Sequence, residues 1–179
     1  VSFVKSDDPK GALEVTRHLI SQGHQRIAFT TRPEVGVTSR DRFAGYAQGL
    51  KEAGIPMDED LVIPTSLQPD SGYQAMQQLL DLPNPPTAVF AIHDLVAIEC
   101  VRAIRERGLS IPHDVAIAGF DNWRASLAES PPITTVDPPL HEIGFKAMDT
   151  LLERLAKPNS PPVRLALPVN LVVRGSTVN

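Results

Sequence analysis

Short apolar runs alternate with amphipathic stretches along most of this sequence. The apolar runs have the length and the residue types of buried strands, and they lie at 26–31 (RIAFTT), 61–65 (LVIPT), 87–92 (TAVFAI) and 114–120 (DVAIAGF). The other stretches carry apolar residues at helical spacing and lie at 8–22, 39–53, 70–81 and 94–107. This alternation predicts βαβ units and therefore an α/β fold, in which a parallel sheet carries helices on both faces.

The alternation stops after residue 121. A proline-bounded extended segment at 130–139 leads into a helical stretch at 140–156, and residues 161–179 predict one or two terminal strands. The prolines at 131–139 and 158–162 join apolar elements directly, which indicates crossings between two lobes.

Composition argues against several classes of protein. Of the 179 residues 42% are hydrophobic, and no apolar run approaches the roughly 20 residues of a membrane helix. The formal charge of −4, without a run of lysine or arginine, predicts no large nucleic-acid-binding surface on this chain. The one cysteine, Cys100, lies in an apolar helical stretch, which favours a buried thiol and a reducing cytoplasm. The histidines lack metal-binding spacing, so we predict neither a metal site nor a cofactor.

Polar side chains follow each predicted strand. In an open parallel sheet these positions meet at one edge, and here they are Arg40, Arg42, Asp70, His93, Asp94, Asp121, Asn122 and Trp123. Asp70 and Asp94 also open predicted helices, so each has a second interpretation as a helix cap. Asp121 has no helical pattern after it and nothing local to cap. Arg42 and Asp121 have a structural alternative, an ion pair that holds two loops together.

Catalytic interpretations of this edge have little support. His93 and Asp94 are neighbours at a strand end, so their side chains point apart and a hydrogen-bonded dyad is geometrically poor. No G-x-S-x-G nucleophile elbow and no phosphate-binding glycine loop occurs in the sequence. The edge therefore predicts a binding site for a small polar molecule, with no enzymatic activity.

Several motifs in order resemble those of one family of proteins. They are HLISQGHQRIAF, SRDRFAGYAQGLKEAGI, PTAVFAIHDLVAIECVRAIRERGLSIPHDVAIAGFDN, PPITTVDPPLHEIGFKAMDTLL and LVVRGST. Together they resemble the effector-binding region of the lactose/galactose repressor (LacI/GalR) family over essentially the whole chain. The resemblance implies a fold like that of type I periplasmic sugar-binding proteins, with two lobes that enclose a ligand. It also implies that Arg42 and Asp121 contact the effector, and that His93 does so where the family usually has asparagine.

The resemblance sets the expected domain organisation. Residues 1–22 are expected to end the first lobe, 23–135 to form the second lobe, 136–160 to cross over and return as a first-lobe helix, and 161–179 to give terminal strands of the second lobe. We expect the family's N-terminal helix-turn-helix DNA-binding domain to be absent from this chain.

These points predict the effector-binding and dimerisation domain of a cytoplasmic, ligand-responsive transcriptional regulator that binds operator DNA through its N-terminal domain. A sugar effector is expected because a carboxylate, a guanidinium and the indole of Trp123 suit hydroxyl groups and a sugar face. A homodimer through helix 94–107 is expected because that helix is apolar around most of its circumference. The alternative is a periplasmic solute-binding receptor of a transporter.

Overall fold

The computed structural model describes residues 1–32, 36–66 and 68–178. The strands are β1 Phe3–Ser6, β2 Ile27–Thr31, β3 Val62–Pro64, β4 Ala88–Phe90, β5 Ala116–Ala118, β6 Thr135–Asp137, β7 Arg164–Leu167 and β8 Asn170–Val172. The α-helices are α1 Asp8–Ser21, α2 Val37–Glu52, α3 Ser71–Leu80, α4 Asp94–Glu106, α5 Arg124–Leu127 and α6 Leu140–Ala156. A short 3-10 helix at Glu59–Leu61 precedes β3.

The main sheet has four parallel strands in the order β3-β2-β4-β5. The chain runs from β2 through α2 to β3 and then returns past β2 through α3 to β4. Since parallel crossovers are right-handed, these opposite directions place α2 on one face of the sheet and α3 and α4 on the other. Accordingly α1 packs on α2, and α3 packs on α4. The predicted α/β class, with helices on both faces of a parallel sheet, is confirmed.

The strand order reverses between β2 and β4. Ligands of open parallel sheets bind at such a switch point, in the crevice beyond the carboxyl ends of the strands. The residues just beyond these two strands therefore occupy the most favourable place for a ligand site. They include Arg32, directly after β2, and His93, which follows β4 after Ala91 and Ile92.

A second, smaller unit lies beside the main sheet. Strand β1 pairs in parallel with β7, and α6 packs on β1. The chain passes between the two units after β1, after β6 and again after β7. The prolines at 158–162 join α6 to β7 inside this smaller unit, so the crossing predicted there is wrong. The crossing lies instead at Pro168 and Val169, and the prediction failed because proline bounds any extended segment, whether or not it changes lobes.

The expected lobe boundaries differ from the structure in two places. Helix α1 was expected in the first lobe, yet its residues Ala12, Val15 and Leu19 belong to the core of the main sheet. Strand β7 was expected in the second lobe but pairs with β1, whereas β8 pairs antiparallel with β6. An apolar stripe on a helix, or an apolar run in a strand, shows that a face is buried but not which surface it packs against. For this reason the lobe of α1 and the lobe of β7 could not be assigned from the sequence.

Packing contacts within the chain explain why α4 is apolar around most of its circumference. One side covers the main sheet and the other packs on α3 and α5, and the buried residues include Val96, Cys100, Val101 and Ile104. Leu95, near its start, is 43% exposed. The apolar circumference therefore does not require a second copy of the chain, and dimerisation through this helix stays a prediction.

None of the described helices is long and apolar enough to cross a membrane.

Close contact between α1 and α2 depends on a glycine. A Cβ atom added at Gly45 would lie 2.2 Å from the backbone oxygen of Pro9 and 2.8 Å from the backbone nitrogen of Leu13. Backbone atoms cannot move aside as a flexible side chain can, so the two helices must separate to admit a methyl group.

We expect Gly45→Ala to lower the free energy of unfolding by about 1–3 kcal/mol, because overpacking outweighs the gain in helix propensity. Gly144→Ala in α6 is the matched control, since nothing lies within 4 Å of its added Cβ. That variant should be neutral or slightly stabilising. Urea denaturation of both variants measures the difference, and equal stabilities would contradict the packing argument.

Candidate ligand-binding site

Arg42 is the centre of the polar edge. It lies in α2 and is 6% exposed. Its Nη1 donates to the backbone oxygen of Ile92 at 2.6 Å, and its Nη2 donates to Oδ1 of Asp121 at 2.8 Å. The guanidinium also lies over the ring of Phe120, 3.6 Å from the centroid. The structure thus brings Arg42 and Asp121 together as an ion pair at the carboxyl ends of the strands.

A second carboxylate, not singled out from the sequence, also faces Arg42. Oδ2 of Asp8 lies 3.8 Å from Nε of Arg42, at the start of α1 where the chain enters the main unit. Burial raises the pKa of Asp8, although the charge of Arg42 opposes this shift. In the sequence Asp8 is an ordinary acidic residue in the first turn of a helix. The local residue pattern therefore does not distinguish it from a helix-capping residue.

The loop that carries Asp121 has a strained backbone. Asp121 has φ of 95° and Asn122 has φ of 51°, both in the left-handed region that asparagine and aspartate tolerate best among non-glycine residues. The backbone N–H of Asp121 donates to Val136, and that of Asn122 donates to Oγ1 of Thr135. Nη2 of Arg174 donates to Oδ1 of Asn122 at 2.5 Å. These bonds hold the loop in the conformation that places the Asp121 carboxylate against Arg42.

Asp94 supports the same loop. Its side chain accepts from the backbone N–H of Trp123 at 2.8 Å and from Oγ1 of Thr135 at 2.7 Å, and the residue is 1% exposed. Burial raises the pKa of Asp94, and the hydrogen bonds from Thr135 and Trp123 act against this shift. The cap interpretation of Asp94 is wrong, since His93 is the N-cap and Asp94 the first residue of α4. Its oxygens position the ligand loop, which leaves them poorly placed to bind a ligand directly.

Asp70 has a different role from the one its position suggests. It is the N-cap residue of α3 but has φ of 65° and makes no cap hydrogen bond. Its carboxylate pairs with Arg102 on the exposed surface, with Nη2 2.6 Å from Oδ1. Glu99 from α4 caps α3 instead, because its two oxygens accept from the backbone N–H groups of Asp70 and Gly72. Asp70 does not join the Arg42–Asp121 pair.

His93 meets an arginine that the strand-end prediction did not include. Nη1 of Arg32 lies 2.7 Å from Nε2 of His93, and Arg32 is 8% exposed. Burial lowers the pKa of His93, and the neighbouring charge of Arg32 lowers it further. An arginine only donates, so Nε2 accepts and the imidazole is neutral with its proton on Nδ1. The strand-end rule that selected His93 would also have selected Arg32, which directly follows β2.

The remaining candidates lie toward solvent. The residue Trp123 is 49% exposed and precedes the short helix α5, whose four residues are too few to give a recognisable helical pattern in the sequence. Arg40 is exposed on α2. A cavity of about 250 Å³ adjoins His93 and is lined by Ser66, Gln68, Pro69, His93, Leu95, Val96 and Glu99.

The chemistry available at this edge is that of recognition. It offers the carboxylate of Asp121 paired with the guanidinium of Arg42, the neutral imidazole of His93 in contact with the guanidinium of Arg32, and an exposed indole. Among residues 1–32, 36–66 and 68–178 no cluster of three histidine, cysteine or acidic side chains is arranged to hold a metal ion. Cys100 is buried inside α4, and burial raises the pKa of its thiol.

Comparison with known proteins agrees with this architecture. The family model described as periplasmic binding protein-like domain matches residues 16–177. The chain belongs to the periplasmic binding protein-like family. Within this family it is 37% identical over 177 residues to the HTH-type transcriptional regulator DegA of Bacillus subtilis, and 36% identical over 174 residues to the HTH-type transcriptional repressor CytR of Escherichia coli. These alignments cover 99% and 97% of this chain but 52% and 51% of the relatives, so the chain spans about half of their length.

Solved structures of this periplasmic binding protein-like family have the same fold. A complex of the transcriptional regulator CelR with cellobiose superposes with a TM-score of 0.93 at 37% identity, covering 98% of this chain and 54% of that one. A LacI family regulator from Enterococcus faecium with bound ribose superposes with a TM-score of 0.88 at 34% identity, covering 98% and 65%. The resemblance to LacI/GalR regulators drawn from the sequence motifs is confirmed.

The two aspartates at helix starts should respond differently to truncation. Asp94→Ala leaves the Trp123 N–H and the Thr135 hydroxyl without their buried acceptor, so we expect a loss of about 1–3 kcal/mol in the free energy of unfolding. Asp70→Ala removes an exposed ion pair and should cost less than about 1 kcal/mol. Chemical denaturation of the two variants measures the contrast, and an equal loss would contradict the different roles of the two carboxylates.

The pKa of His93 should depend on Arg32. We expect the ring to titrate below its ordinary value of 6.5, and Arg32→Gln to raise the pKa without restoring that value, because burial persists. Since the folded-state pKa is lowered, the stabilising contribution of neutral His93 is complete above pH 6.5 and is lost as pH falls through the folded pKa.

Proton NMR of the histidine Hε1 signals tests this, with the His93 signal assigned from its absence in His93→Asn. Arg42, Asp121 and Glu99 also act on the charge of His93, so the comparison uses Arg32→Gln alone. An unchanged or lower pKa in that variant would show that Arg32 does not face the ring.

Proposed function

We propose that this chain is the effector-binding domain of a ligand-responsive, DNA-binding transcriptional regulator, and that its effector is a sugar. The observation that carries the proposal is the Arg42–Asp121 ion pair at the edge of the sheet where the strand order reverses. Asp121 accepts from vicinal hydroxyl groups and Arg42 donates to sugar oxygens, while Trp123 covers an apolar face of the ring. The relatives' names support a regulator over a transport receptor.

The geometry of the pair suits a ligand that replaces water. Asp121 keeps 28% of its side chain exposed although Arg42 is buried, so one side of the carboxylate remains open. The buried guanidinium of Arg42 orients this carboxylate before the ligand arrives. Such preorganisation increases affinity because less ordering is needed on binding.

DNA binding and assembly belong to the whole protein. We propose that a helix-turn-helix segment outside these 179 residues reads operator DNA, that the protein acts in the cytoplasm, and that it is a homodimer. Regulators that read two related half-sites need such two-fold symmetry.

The smaller unit is proposed to belong to the first lobe. Helix α6 has no buried residue and exposes an apolar face that includes Phe145, Met148, Leu151 and Leu155. The rest of a first lobe would cover this face, since the relatives are about twice the length of the chain. The three connections between the two units would then act as hinges, and an effector bound between lobes would shift the population toward a closed form.

Sugar binding should depend on Asp121. We expect Asp121→Asn in the full-length protein to weaken binding about tenfold or more, because a charge-assisted hydrogen bond is worth roughly 1.5–3 kcal/mol. Asp70→Asn is the matched control, since Asp70 also follows a strand but pairs with Arg102 on the surface. Isothermal titration with mono- and disaccharides that include cellobiose and ribose measures the effect.

Two results would count against this assignment. If Asp121→Asn binds the sugar as tightly as the wild type, Asp121 is a structural partner of Arg42 alone. If no sugar binds, the function is different. The function is also different if a bound sugar does not change how the protein binds, in a mobility-shift assay, to DNA from upstream of its own gene.

A further inference from the structure

A buried positive charge lies at the switch point of the sheet beside the Arg42–Asp121 pair. Arg32 follows β2 and His93 follows β4, the two strands between which the strand order reverses. The side chains are joined by the contact of 2.7 Å between Nη1 and Nε2, and Arg32 is 92% buried since 8% of it is exposed.

The charge of Arg32 has no counterion in the described part of the chain. Arg42 faces two carboxylates, whereas no carboxylate among residues 1–32, 36–66 and 68–178 lies within 4.0 Å of the Arg32 nitrogens. Nε of Arg32 is buried and has no hydrogen-bond partner among those residues either. The imidazole of His93 is neutral and adds no negative charge. A buried charge without a partner costs several kcal/mol, so this arrangement favours an anion.

Helix α4 begins at the same place. Its N-cap residue, His93, makes no side-chain cap bond, and the backbone N–H groups of Leu95 and Val96 have no acceptor among the described residues. Both residues line the cavity of about 250 Å³ together with Ser66 and Gln68. Unpaired first-turn N–H groups and the helix dipole stabilise negative charge.

One acidic side chain, Glu99, also lines this cavity. Both of its oxygens are occupied, one by the N–H of Asp70 at 3.0 Å and the other by the N–H of Gly72 at 2.6 Å. Its negative charge is therefore directed to the start of α3, which reduces its repulsion of a second anion.

We propose that the effector is an anionic sugar, whose phosphate or carboxylate group binds Arg32, His93 and the first turn of α4 while its hydroxyl groups bind Asp121 and Arg42. The inference rests on the proposed sugar-binding function and names the class of sugar. Nδ1 of His93, which carries the proton, and the guanidinium of Arg32 supply donors, and the N–H groups of Leu95 and Val96 add two more. Oxygens of a phosphate or carboxylate are the acceptors that match this set.

Titration calorimetry on the full-length protein tests the proposal with neutral sugars and their charged counterparts. The pairs are glucose with glucose 6-phosphate, glucose with glucuronate, and ribose with ribose 5-phosphate, and inorganic phosphate is measured alone. We expect the charged member of at least one pair to bind about tenfold or more tightly than its parent, in line with one charge-assisted hydrogen bond. The phosphate and carboxylate arms identify the anion.

Variants then locate the anion. Arg32→Gln should remove the preference for the charged sugar, so that the charged and neutral members of a pair bind with affinities within twofold of each other. Arg40→Gln is the matched control, because Arg40 is an exposed arginine close in sequence and should leave both affinities unchanged.

The outcomes separate this inference from the proposed function. If neutral sugars bind and the charged counterparts bind no better, the inference fails and the proposed function stands. If Arg40→Gln removes the preference for the charged sugar as fully as Arg32→Gln does, that preference comes from general electrostatic attraction to the surface. The inference then also fails. If no sugar of either kind binds, both fail.

Discussion

The buried guanidinium of Arg42 is the interaction on which the polar edge of this molecule depends. It connects the start of α1 through Asp8, the end of β4 through the oxygen of Ile92, and the loop after β5 through Asp121 and the ring of Phe120. One side chain of α2 thus holds segments that are far apart in sequence. Removing a single member of such a buried charged group leaves the others without a partner, so the edge behaves as one unit.

Much of the fold could be predicted from the sequence because the main-sheet strands are mostly apolar and most of the large helices show a clear apolar stripe. The predicted helix at 94–107 corresponds to α4 Asp94–Glu106, and the predicted strand at 87–92 contains β4 Ala88–Phe90. Strand β1 and helix α5 were missed, since each has only four residues and too little pattern. Which sheet α1 and β7 join was also hidden, because periodicity reports burial and not the partner surface.

The candidate site was likewise predictable from the sequence only in part. The rule that polar residues gather after parallel strands selected Arg42, Asp121 and His93, and the structure brings Arg42 and Asp121 into contact. The same rule overestimated Asp70, whose left-handed backbone turns it toward Arg102. The role of Glu99 as the cap of α3 comes from another helix, and the role of Arg174 on Asn122 comes from the far end of the chain. Contacts of that kind depend on the tertiary fold and leave no local trace in the residue pattern.

The pairing of β1 with β7 also affects the order in which the chain folds. It brings together segments as distant as Ser2 and Val163, 161 positions apart, whereas the main sheet is built from successive βαβ units. Closing so long a loop costs entropy that only a formed core can offset, and distant contacts form late in folding. This difference favours formation of the main sheet, with Arg42 in place, before the smaller unit docks, so that the polar edge takes its shape while that side is still open to water.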